Sequence, residues 1–123
     1  MEIEVNEFVR IKNGAIRKII KINEGKEKTI FGKYRLDKPY NNCFSVAQNK
    51  IVKHSKNIID LIEVGDYVNG YKVLDKDFKN EMICLLMPFN EENESKYNIV
   101  WNTKYFIKSI VTKKQFSSLE YII

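Results

Sequence analysis

Two short segments hold most of the side chains that could do chemistry in this chain. GKYRLDKPYNNCF (32–44) carries Lys33, Tyr34, Arg35, Tyr40, Asn41, Asn42 and Phe44. VWNTKYF (100–106) repeats the mixture with Trp101, Asn102, Lys104 and Tyr105. An aromatic ring can stack on a base, a cationic side chain can neutralise phosphate, and an amide can read a base edge. Arg17 and Lys21 add two cations on one face of an earlier strand. If the two segments converge, these eleven candidates (Arg17, Lys21, Lys33, Tyr34, Arg35, Tyr40, Asn42, Trp101, Asn102, Lys104 and Tyr105) make a pocket for an anionic, base-containing ligand. The competing reading of every ring is core packing or cross-strand pairing on a sheet.

Catalytic patterns are sparse. There is no GxSxG, Walker A or HExxH, and the one histidine, His54, sits between Lys53 and Ser55 and reads as a partly exposed loop residue. Cys43 and Cys84 lack CxxC spacing and lie in apolar-leaning runs, so both are expected as buried free thiols, with no metal site. Glu91, Glu92 and Glu94 read as a solvated loop rather than a hard-cation cluster. The expectation is a binding protein, not an enzyme, with no cofactor.

The elements that would position these residues are mostly strands. FVRI (8–11) and AIRKIIKI (15–22) flank Asn13-Gly14, a strong hairpin signal because both residues tolerate positive φ. In the second run Ile16, Ile20 and Ile22 share one face and Arg17 and Lys21 the other. NEGKEK (23–28) reads as a turn, TIFGKYRL (29–36) as a strand with a bulge at Gly32, DKPYNN (37–42) as a loop and CFSV (43–46) as a strand. Ser55 can cap a short helix whose face carries Ile58, Ile59, Leu61 and Ile62. VGDYVNGYKV (64–73) then reads as a joint, with Asp66 accepting backbone hydrogen bonds and Asn69-Gly70 turning a second hairpin.

Beyond the joint, MICLLM (82–87) reads as a buried strand ended by Pro88, and NEENESK (90–96) as an acidic loop. YNIVW (97–101) and KYFIKSIV (104–111) form a hairpin across Asn102-Thr103. Thr112 and Gln115 make a capping box, and LEYII (119–123) closes as a strand. An internal echo links VNEFVRIKNGAIRKI (5–19) with VGDYVNGYKVL (64–74).

Strands at this spacing predict a mainly β fold, a small SH3-like barrel or β-sandwich with one or two short helical turns. A chain of 123 residues predicts one domain, with the SH3-like core over about 1–75 and additional strands over 76–123. Charge is uneven. Residues 1–60 hold 13 Lys/Arg against 7 Asp/Glu, and residues 61–123 hold 8 against 9. A basic first half invites an anionic partner, with nucleic acid as one candidate. The start, MEIEVNEF, lacks a basic and then apolar leader, and no apolar run is long enough to span a bilayer. A cytoplasmic protein with no membrane partner is expected.

At KHSKNIIDLIEVGDYVNGYKV, VNEFVRIKNGAIRKIIKI and IKSIVTKKQFSSLEYII, the chain resembles short phage and prophage proteins of clostridia and related Firmicutes. The resemblance covers most of the chain and is weakest at 36–50 and 75–98. Its motifs are structural turns, so no functional residue is carried over. It implies a setting in a host bacterial cell. There a small phage protein could disarm defence by sequestering a nucleotide-type immune signal or by blocking a host defence protein, with self-association as a further possibility. The alternatives are a nucleic-acid-binding β-barrel module and a structural or morphogenetic phage protein.

Overall fold

The structure, a computed structural model, describes residues 2–91 and 94–118 and is mainly β. The chain divides into two compact units, Met1–Leu61 and Ile62–Ile123. Each is built on a five-stranded antiparallel sheet.

In the first unit β1 (Phe8–Ile11) turns into β2 (Ile16–Ile22), and α1 (Gly25–Phe31) leads to β3 (Tyr34–Tyr40) and β4 (Cys43–Val46). A 3-10 turn at Gln48–Lys50 then leads into β5 (Ile51–Ser55). The strand order is β4-β3-β2-β1-β5. The Asn13-Gly14 turn forms as expected, with Gly14 at φ 94° and the Asn13 side chain accepting the Ala15 N–H. Asn41 and Asn42, at φ 48° and 64°, make the tight β3–β4 turn. The buried core of this unit comprises Ile3, Val9, Ile11, Ile19, Tyr34, Leu36, Val46 and Ile51.

The second unit runs β6 (Tyr67–Val68), β7 (Tyr71–Asp77), β8 (Met82–Glu91) and β9 (Glu94–Thr103). A 3-10 turn at Lys104–Phe106, β10 (Ile110–Val111) and α2 (Lys113–Ser118) follow. Its order is β10-β6-β7-β8-β9. Ile62, Val68, Val73, Ile83 and Leu85 are fully buried.

The two orders are one topology used twice. Four strands meander, a 3-10 turn follows, and the fifth strand returns beside the first. The echo in the sequence is the opening of each unit, and it extends to IEVNEFV (3–9) against IEVGDYV (62–68). Asn6 and Gly65 both sit at positive φ, 75° and 97°. The Asn6 N–H donates to the Ile19 carbonyl at 2.8 Å, as Gly65 does to Val73 at 2.9 Å. The return bonds, Ile19 to Glu7 and Val73 to Asp66, are both 2.8 Å. A bulge follows at matching places, between Ile19 and Lys21 and between Val73 and Asp75. Beyond it Lys21 pairs with Arg35 where Asp75 pairs with Cys84, and Arg35 pairs with Ser45 where Cys84 pairs with Trp101.

The joint is as the sequence reads. Asp66 is fully buried and accepts the Glu63 N–H at 2.7 Å and the Lys113 N–H at 2.8 Å. Asn69 and Gly70, at φ 52° and 85°, turn β6 into β7. Ser55 accepts the Asn57 N–H ahead of a 3-10 turn at Ile58–Leu61, and Thr112 and Gln115 exchange the two capping-box bonds before α2.

The boundary between the two units falls between Leu61 and Ile62, and β6 and β7 pair within the second sheet. Other expectations are corrected. No pairing closes either sheet into a barrel among the described residues. Residues 25–31 are helical rather than a turn and a strand, and Gly32 caps that helix. The bulge in β2 turns Ile20 outward and leaves Ile19 in the core. Pro88 does not end β8, because pairing to β7 stops at Leu86 and the strand continues against β9 alone. Asn102 and Thr103 end β9, whose partner is β8, so the expected 97–111 hairpin is absent. The expected strand at 119–123 lies outside the described residues.

Candidate functional site

An open pocket of about 410 Å³ lies on the first unit between α1 and the β3–β4 hairpin. Its strand side is the outward row of Arg35 and Ser45, continuous with Lys21 on β2. Its helix side is Glu27, Ile30 and Phe31, and Asn42, Cys43 and Phe44 complete the lining from the hairpin tip. Phe31 and Phe44 are 63% and 52% exposed, so both rings remain available for stacking.

Local sequence builds this wall from a helix that buries nothing of its own. None of the residues of α1 is buried, so propensity and caps cannot hold it in place alone. Asn23, almost fully buried, supplies the tether. Its amide donates to the Gly32 carbonyl and to Ser45 Oγ, both at 3.0 Å, and its backbone N–H donates to Lys33 at 2.7 Å. Gly32 supplies the close approach. A Cβ there would meet the Val46 carbonyl carbon at 2.7 Å, and its φ of +105° is itself a glycine conformation.

Charge inside the pocket is mixed. Lys21 Nζ pairs with Glu27 Oε2 at 3.3 Å, and both side chains are about half exposed. Among the described residues the Arg35 guanidinium has no hydrogen-bond or ion-pair partner. It is the pocket's uncompensated charge.

The expected site residues are distributed as follows. Arg35 and Asn42 line the pocket, and Lys21 borders it through Glu27. Tyr34 does not face a ligand: its side chain is fully buried in the core, with Lys33 Nζ 5.4 Å from the ring centroid. Tyr40 packs against the same core, and Arg17 is engaged by the Pro39 carbonyl at 3.1 and 3.2 Å. Trp101, Asn102, Lys104 and Tyr105 belong to the second unit. There Trp101 is 42% exposed, Asn102 Nδ2 is buried, and Lys104 Nζ lies 5.5 Å from the exposed Tyr105 ring. Cys43 is exposed, contrary to expectation, because it opens the strand after the tight turn, whereas Cys84 is buried as expected. Burial, with the charge of Asp75, pushes the Cys84 thiol up.

Glu27, Ile30 and Phe31 escaped sequence reasoning because a seven-residue helix without a buried face leaves no apolar period. The available signal was Gly32 directly after Lys28-Thr29-Ile30-Phe31, a helix stop. No helix among the described residues is long and apolar enough to cross a membrane. No family model matches the chain, and no curated protein or solved structure matches it either.

Proposed function

We propose that this protein acts by binding rather than by turnover, and that its first unit, an SH3-like module, holds a small anionic nucleotide-type ligand in the pocket beneath α1. The carrying observation is the unpaired Arg35 guanidinium in a pocket flanked by two exposed phenylalanine rings. Guanidinium binds phosphate through paired charge-assisted hydrogen bonds, and exposed rings stack on bases. Comparison of the two units supports the same surface. Between matching strands the first unit inserts α1 where the second has a short turn, and it has Arg35 and Ser45 where the second has Cys84 and Trp101. The scaffold is common, and the α1 insertion and the outward row are what differ.

Stoichiometric capture withdraws the ligand from solution. For an immune signalling nucleotide in a phage-infected cell, that withdrawal is a counter-defence activity, the role implied by the resemblance to phage proteins. The excess of 13 Lys/Arg over 7 Asp/Glu in the first unit also favours nucleic acid as a second reading.

The test is thermal unfolding of the full chain against nucleoside monophosphates, cyclic nucleotides, ADP-ribose and short oligonucleotides. A nucleotide at a hundred times its Kd adds about 2.7 kcal/mol to the folded state. Arg35→Ala should keep the ligand-free midpoint, since Arg35 is exposed, and weaken binding by about 1.5–3 kcal/mol. A salt-sensitive response to every oligonucleotide and to no nucleotide supports the second reading instead.

A further inference from the structure

The pocket carries its own anion, and its charges can be counted. Lys21 and Arg35 bring two positive charges to adjacent strands, and Glu27 on α1 returns one negative charge at 3.3 Å from Lys21. A pocket meant simply to attract negative charge gains nothing from a carboxylate in its lining. Like charges repel in proportion to the number brought close, and the cost grows when water is displaced. One unpaired guanidinium matches one phosphate charge.

From this count we infer that Glu27 sets the pocket's specificity, selecting a ligand with a single phosphodiester charge over a di- or triphosphate. The inference rests on the nucleotide reading above and narrows its ligand class. A nucleotide whose phosphate is tied into a diester offers one charge to Arg35 and places no further anion against Glu27. A polyphosphate chain must either leave its outer phosphates unpaired or meet the carboxylate. Discrimination therefore comes from a repulsive element as well as an attractive one. The second unit has no such arrangement at the matching row, where Asp75 and Cys84 stand for Lys21 and Arg35. At about 410 Å³ the pocket falls within the range of small-ligand sites.

The experiment measures binding of 3′,5′-cyclic AMP and of ATP to the full chain and to its Glu27→Gln variant, at fixed magnesium-free ionic strength. The native protein is expected to bind cyclic AMP about tenfold or more tightly than ATP. Glu27→Gln should raise ATP affinity several-fold and leave cyclic AMP affinity within about twofold, since the amide keeps shape and removes only charge. Equal weakening of both ligands would mean that Glu27 only supports the helix, and the inference falls. An unchanged ratio, or a native preference for ATP, also overturns it while leaving a nucleotide pocket in place. If neither chain binds either nucleotide, this inference falls, and the nucleotide reading stands or falls on the wider panel above.

Discussion

Glu7 shows how an acidic side chain at the opening of a unit can tie neighbouring segments together. Burial pushes its carboxyl up, but the Glu4 N–H, the His54 hydrogen bond and the charges of His54 and Lys56 outweigh it and hold Glu7 below its ordinary value. Glu7 Oε1 lies 2.8 Å from His54 Nδ1, so the acid ties the start of β1 to β5. In the second unit Asp66 accepts the backbone N–H groups of Glu63 and Lys113. A carboxylate with a lowered folded pKa contributes stability that is complete above its unfolded pKa and is lost as pH falls through the folded one. Acid should therefore destabilise the protein through and below the usual carboxylate range. Glu7→Gln should flatten that part of a stability-against-pH curve, while costing stability near neutral pH. Denaturant midpoints taken at intervals of pH check both statements, and parallel curves for the two proteins would remove Glu7 from the account.

At the scale of elements, α1 depends on its neighbours rather than on itself. Gly32 is where that dependence is sharpest, since it leads the chain from the helix towards β3 in close contact with the end of β4. Gly32→Ala places a methyl 2.7 Å from the Val46 carbonyl carbon and imposes an L side chain at φ +105°. A destabilisation of about 2 kcal/mol or more is expected, with loss of ligand affinity beyond what stability alone explains. An alanine variant that keeps both stability and affinity would show that the helix is not seated this way. The same contrast explains what was legible in the sequence. Asn13-Gly14, Asn69-Gly70, Asp66 and the Thr112–Gln115 box were readable because each is a local backbone device with fixed residue types. The helix at 25–31 was not, because it has no buried face to imprint a period. Ile20 was misplaced for a related reason. A bulge reverses which side chains face the core, and nothing in β-rich alternation announces it.

At the scale of the whole molecule, the sequence echo proves to be the visible trace of a repeated topology. The likeness in sequence is confined to IEVNEFV (3–9) and IEVGDYV (62–68), where positive φ and a buried acid restrict what the positions accept. The outer rows differ between the units. Of the eleven candidate residues, Arg35 and Asn42 line the pocket. Trp101, Lys104 and Tyr105 lie in the second unit, and composition carries no information on whether two distant segments converge. The central claim is that a nucleotide sits beneath α1, and the two thiols test it directly. Cys43 lines the pocket and is exposed, while Cys84 is buried with its thiol pushed up, so in the native protein iodoacetamide should modify one thiol quickly and the other hardly at all. The measurement is the rate of Cys43 alkylation with and without a saturating nucleotide that raises the unfolding midpoint. The account predicts that the nucleotide slows Cys43 alkylation several-fold and that Arg35→Ala abolishes the protection. A nucleotide that binds yet leaves the Cys43 rate unchanged would contradict it, because the ligand would then occupy some other surface.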